Sequence, residues 1–154
     1  NTPALVGEGM TGLYAKREAS STESEALAER VMSSVGQCVW VESESDLDVI
    51  TAISGSGPAY FFLFIESLTD AAIALGMNGE SARKLALQTA LGASRLASLS
   101  SEDAATLRKN VTSPGGTTEQ AIQSFEDSDI RGIVAQATQA AARRSVELSK
   151  EFGV

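Results

Sequence analysis

The sequence predicts a mainly α-helical protein that opens with a short strand–helix–strand segment, on three observations. Over residues 42–154, apolar side chains recur at spacings of three and four, the period of an amphipathic helix. Residues 1–41 read differently, with two short strand-like runs on either side of one helical stretch. The 154 residues are 43% hydrophobic and 21% charged, with mean hydropathy near zero. That balance fits one domain with a single core and not a disordered chain.

Within 1–41, Gly7, Gly9 and Gly12 break up Leu5 to Tyr14, and Cys38 to Val41 is a short apolar run. Both read as strands. Between them Leu27, Val31 and Val35 fall at spacing four, which predicts a helix from Thr22 to Val35, stopped by Gly36.

From residue 42 onward the expectation is helix nearly throughout. Ser45 or Asp46 caps a helix toward Ser54. Pro58 to Leu75 is an apolar helix ended by Gly76, and Asn78 caps the next, whose stripe runs from Ala82 to Ala97. Ser100 or Ser101 caps a short helix to Lys109. Ser113-Pro114 opens another, with proline tolerated in the first turn. Asp129 caps the last helix. Pro58 to Leu75 is apolar nearly all round and so calls for burial on most sides, which a second copy of the chain achieves more fully than one copy alone.

Composition excludes several functions. The net charge of −8 disfavours a nucleic-acid partner, which needs clustered Lys and Arg. With no histidine, Ser-His-Asp and Cys-His catalysis are ruled out and a transition-metal site is not expected. The lone Cys38 cannot form an intrachain disulfide, which fits a reducing, cytoplasmic setting; it reads as a small buried hydrophobe. Trp40 reads as packing a sheet against a helix. No signal peptide is visible. The apolar run Pro58 to Ile65 spans eight residues before Glu66 and Asp70, which argues against a membrane span.

Three motifs invite chemistry. Ser54-Gly55-Ser56-Gly57-Pro58-Ala59-Tyr60 has Gly-x-Gly, but Tyr60 stands where a dinucleotide fingerprint needs its third glycine. The bland reading is a joint where glycines let helices cross closely. Thr112 to Glu119 reads as a helix start whose bare backbone N–H groups at Gly115 and Gly116 suit a small carboxylate or phosphate, with Ser113, Thr117 and Thr118 as hydroxyl donors. It reads equally as an ordinary helix start, with Thr117 and Gln120 as a capping box. The acidic run Glu42 to Asp46 lacks the spacing and glycine of a calcium loop and reads as solvated.

Taken together, Asn1-Thr2-Pro3, then Ser54 to Tyr60, then Thr112 to Thr118 stand in the order found in pyrroline-5-carboxylate reductases, and Asp48 to Thr51 and Leu107 to Val111 are similar too. The chain resembles the C-terminal part of that family over essentially its whole length. The resemblance implies that residues 1–41 are the last strands of an α/β Rossmann domain and residues 42–154 a helical dimerisation and substrate-binding domain. It implies reduction of the C=N bond of 1-pyrroline-5-carboxylate to L-proline with NADPH or NADH, in an intertwined homodimer, with five dimers closing into a decamer.

The resemblance also implies roles. Thr118 is the catalytic candidate, its hydroxyl near the ring nitrogen. Ser113, Gly115, Gly116, Thr117 and Thr118 hold the substrate carboxylate. Glu44 faces the amine, and Thr51 the same pocket. Asn1, Thr2 and Asn110 lie on the nicotinamide side, and both subunits contribute to each site. The start at Asn1, in mid-motif, predicts a piece of a longer chain; without the cofactor's glycine-rich turn this piece is expected to be inactive alone. The rival reading is a non-catalytic helical oligomerisation module. A β-hydroxyacid dehydrogenase relies on a catalytic lysine, and Lys84, Lys109 and Lys150 match no such pattern.

Overall fold

The structure, a computed structural model, describes residues 1–16 and 20–153. It is mainly helical with a two-stranded parallel sheet near the start, and it divides into two units: Asn1–Tyr60 with Val134–Val154, and Phe61–Ile133.

In the first unit β1 (Gly9–Leu13) and β2 (Gly36–Trp40) pair in parallel, Gly9 opposite Gly36 and Leu13 opposite Trp40. Their link is α1 (Thr22–Met32), as a parallel pair requires a crossover. Ser21 and Ser24 close a reciprocal capping box at its start. Gly36 has φ 155°, and a Cβ there would run into the backbone of Gly9, so the two strands meet where neither carries a side chain. Trp40 Nε1 donates to a Glu29 carboxylate oxygen at 3.1 Å, tying β2 to α1. Cys38 is half-buried and receives the Ser33 hydroxyl at 3.5 Å.

The strand expected to begin at Leu5 begins at Gly9 instead. Thr2–Val6 is a 3-10 turn, with Pro3 setting its first turn and Gly7 ending it at φ 78°. After β2 comes α2 (Asp46–Ile50), then a π-turn over Thr51–Gly55, then α3 (Gly57–Ala74). Gly12 has no side chain, so Ile50 and Leu47 of α2 sit directly over β1. All of α7 (Ile130–Phe152) beyond its first turn also belongs to this unit; Ser145 Oγ donates to the Asp48 carboxylate at 2.6 Å.

The second unit holds the rest of α3, α4 (Gly79–Leu99), α5 (Ala104–Asn110), α6 (Thr117–Asp127) and the first turn of α7. The expected caps hold at two places. Asn78 Oδ1 accepts the Ser81 N–H at 2.9 Å, and Asp129 Oδ1 accepts that of Gly132 at 3.2 Å. Two starts differ. Asp103, not Ser100 or Ser101, caps α5, accepting the Thr106 N–H at 2.7 Å, because Ser100 Oγ is taken by the Glu102 N–H in the preceding turn. Ser113-Pro114 does not open α6. Gly115 at φ 70° breaks helical backbone, and the helix starts at Thr117 behind Gly116.

Large apolar side chains stay uncovered. Among the described residues the buried hydrophobic ones are three alanines, Ala52, Ala82 and Ala86, while Phe61, Phe62 and Leu63 are 64%, 64% and 63% exposed. The chain exposes 11586 Å², against about 7,400 Å² expected for a folded monomer of its 16.0 kDa mass. Helix runs on from Asp46 to Ala74, 29 residues in all, because the π-turn continues α2 into α3. By length and composition alone that stretch is apolar enough to cross a membrane, Glu66 and Asp70 notwithstanding.

Candidate active site

In the second unit the loop Ser113 to Gly116 delivers the chain into α6. Ser113 O accepts the Gly116 N–H at 3.0 Å, and a Cβ on Gly116 would stand 3.0 Å from that oxygen, so the turn needs glycine there. The first main-chain bond of α6 is Gln120 N–H to Gly116 O, and no side chain caps the helix. The N–H groups of Thr117, Thr118 and Glu119 therefore point out unpaired, at the positive end of the helix dipole. Among the described residues, the hydroxyls of Ser113, Thr117 and Thr118 make no hydrogen bond to the rest of the chain. The result is a cluster of donors with no bulky side chain at Gly115 or Gly116, suited to a small carboxylate.

The capping box expected from Thr117 and Gln120 does not form. Glu119 reaches back instead, its carboxylate accepting the Gly115 N–H at 2.8 Å. Sequence reasoning passed over Glu119, although glutamate three residues after a cap is the signal for such a contact. Asn110, at the end of α5, donates its amide N–H to Glu102 at 3.0 Å, leaving its side-chain oxygen free. Nearby, Arg131 and Arg108 bracket Glu126 at 2.8 and 3.2 Å and hold its carboxyl below the ordinary 4.5, the hydrogen bond from Arg131 being the larger cause.

In the first unit Glu44 precedes α2 and pairs with Lys16 at 3.4 Å, both side chains well exposed. Thr51 Oγ1 donates to Leu47 O at 2.8 Å, and its side chain borders a surface pocket of about 340 Å³ walled by α7. That pocket's cation, Arg144, is already committed to Glu151 and Glu147 at 2.8 and 3.0 Å. Asn1 uses both ends of its side-chain amide, to Ser54 O at 2.7 Å and from the Met10 N–H at 3.1 Å. Thr2 is exposed. The fold thus gathers Ser113, Gly115, Gly116, Thr117 and Thr118 on one turn with Asn110 just before it; Glu44, Thr51, Asn1 and Thr2 belong to the other unit.

A family model for pyrroline-5-carboxylate reductase dimerisation matches residues 44–148. The chain belongs to that family. The matched region runs from just before α2 to Leu148 in α7 and takes in both glycine-rich motifs. The chain is 48% identical over 153 residues to the pyrroline-5-carboxylate reductase of Pseudomonas aeruginosa, covering 99% of this chain and 56% of that protein. Identity to the reductase of Vibrio alginolyticus is 45%, with the same coverage. Among solved structures, the Coxiella burnetii reductase superposes with a TM-score of 0.92 at 46% identity, over 96% of this chain and 54% of that one. The Plasmodium falciparum enzyme, solved with NADP bound, gives 0.83 at 36% identity, over 94% and 55%. The chain spans about half the length of the curated relatives it matches.

Proposed function

We propose that this chain is the helical, substrate-binding half of a pyrroline-5-carboxylate reductase, acting in a protein that also carries the cofactor-binding half. In this reading residues 1–41 end the Rossmann domain and 42–154 form the helical domain. The observation that carries it is the α6 start. Unpaired N–H groups at Thr117 and Thr118 and free hydroxyls on one glycine-lined turn match the carboxylate of a small cyclic imino acid.

The reaction adds a hydride to the imine carbon and a proton to the ring nitrogen. NADPH or NADH supplies the hydride when bound. Thr2 on the N-terminal loop and the free Asn110 oxygen offer polar groups to its nicotinamide side, with Asn1 on the same loop as Thr2. Among the described residues no glycine-rich turn joins a strand to a helix as a pyrophosphate site needs, and in this reading turnover depends on the cofactor-binding half. The turn at Ser113, Gly115 and Gly116 holds the substrate carboxylate on the Thr117 and Thr118 N–H groups. Thr118 Oγ1 faces the ring nitrogen and fixes the ring's orientation. Glu44 exchanges Lys16 for the protonated imine, and its negative charge favours the iminium form, the better hydride acceptor. Thr51 borders the same substrate.

The exposed faces of α3 and α4 seat a second copy of the chain in an intertwined homodimer. Assembly of five dimers into a decamer, a cytoplasmic location, and no membrane or nucleic-acid partner complete the reading. The test is oxidation of NADPH or NADH by the intact protein on addition of 1-pyrroline-5-carboxylate, with proline as product. Cofactor consumption that tracks proline formation is expected. Failure of a folded, dimeric protein to form proline overturns the enzyme reading in favour of the oligomerisation module.

A further inference from the structure

The opening motif and the central motif are bonded to each other, and the reason lies in one proline. In an unbroken α-helix the carbonyl of Ser54 accepts the N–H of residue 58. Residue 58 is proline, which has none. The next N–H, on Ala59, turns to Ser56 O at 3.0 Å. The Ser54 carbonyl is therefore stranded at the junction of the π-turn and α3, and Asn1 Nδ2 reaches it at 2.7 Å from 53 residues away. The other end of the same amide accepts the Met10 N–H at 3.1 Å, so its orientation is fixed. The π-turn is pinned elsewhere too. Ser56 N–H returns to Thr51 O at 2.8 Å, and the Tyr60 hydroxyl donates to the Ala52 carbonyl at 3.1 Å, with Ala52 itself buried. Short π-turns inside helices often mark functional positions.

We infer that Asn1 is a positioning residue. Its side chain clamps the N-terminal loop that carries Thr2 to the π-turn that begins at Thr51, and so sets the nicotinamide side of the site against the substrate side. The functional part of this inference rests on the reductase reading; the clamp itself rests on the geometry. Asparagine suits the task because it offers a donor and an acceptor at once. Aspartate would set a carboxylate against the Ser54 carbonyl, and alanine would hand that carbonyl to water and release the loop.

The test is a double-substitution cycle in the intact reductase, comparing wild type, Asn1→Ala, Pro58→Ala and the double variant. Pro58→Ala restores an N–H that can serve Ser54 O, so Asn1 becomes dispensable. Asn1→Ala alone is expected to lower kcat by about tenfold or more while moving the substrate KM by less than about twofold, as misalignment of reacting groups does. The deuterium isotope effect on hydride transfer should rise with it, a change that lost stability alone does not produce. In the Pro58→Ala background the same substitution should cost markedly less, both in kcat and in the thermal midpoint.

Equal losses in both backgrounds overturn the clamp. A raised KM for NADPH with kcat unchanged overturns the positioning role in favour of direct cofactor contact by Asn1. If wild type makes no proline, the reductase reading fails, and the thermal cycle decides the clamp by itself: coupled midpoints support it and additive midpoints overturn it.

Discussion

Phe64 of α3 and Phe125 of α6 hold their rings 6.2 Å apart at a 47° tilt, yet they remain 46% and 41% exposed. The pair ties α6 to α3 on one side and leaves the other side open. Beside it Phe61, Phe62 and Leu63 stand largely uncovered, so the face is a half-built core, the one the proposed homodimer would cover.

Replacing Phe62 with Glu should break self-association. Fully burying a phenylalanine contributes about 1.5–3 kcal/mol, and a carboxylate in its place adds desolvation cost. Sedimentation of this chain should give a dimer for wild type and a monomer for Phe62→Glu. Wild-type chain that partitions into lipid vesicles and never dimerises would instead place the 29-residue helix in a membrane.

In the intact protein, Thr118→Ala should raise the substrate KM and lower turnover while the dimer persists. Losing one hydrogen bond to a charged group costs roughly 1.5–3 kcal/mol, or about 10- to 150-fold in kcat/KM. Steady-state kinetics with unaltered constants would remove Thr118 from the site.

The β1–β2 pairing depends on Gly36. Gly36→Ala places a methyl group against the Gly9 backbone at φ 155° and should cost about 1–3 kcal/mol. Gly92 is the control: within one copy it lies inside α4 with open space beside it, so in the monomeric Phe62→Glu background Gly92→Ala should stabilise by roughly 0.5–1 kcal/mol. Thermal unfolding of both variants checks the contrast, and a Gly36→Ala midpoint equal to wild type would rule out the close approach of the strands.

Acid should loosen the α6–α7 corner. Glu126 is held below its ordinary 4.5 by Arg131 and then Arg108. A depressed carboxyl stabilises the fold fully above its unfolded value, and that contribution is lost as pH falls below 4.5 through the folded value. Glu126→Gln should therefore flatten the acid limb of stability below pH 4.5. The group is solvent-exposed, so the effect should be small and should shrink with added salt. A pH–stability profile superimposable on wild type would show that the ion pairs add nothing.

Much of the fold was legible because its punctuation is local. Asn78 and Asp129 cap the helices they were expected to cap, and Gly36 and Gly76 end helical stretches where glycine usually does. Pro114 misled because a proline suits a first helical turn, while the backbone of the following Gly115 denies one there. The 3-10 turn at Thr2–Val6 and the π-turn at Thr51–Gly55 span five residues each, too few to carry a periodic signal. In the candidate site the glycine-lined turn from Ser113 to Gly116 and the hydroxyls around it could be read from the sequence. The Lys16 partner of Glu44 and the bond from Asn1 to Ser54 could not, because each depends on where the folded chain brings a side chain.

The most direct measurement is proline-dependent reduction of NADP⁺ or NAD⁺ at alkaline pH, comparing the intact protein with residues 1–154 alone. The account predicts turnover by the intact protein and none by the shorter chain, which should nonetheless dimerise. No turnover by an intact, folded and dimeric protein would contradict it.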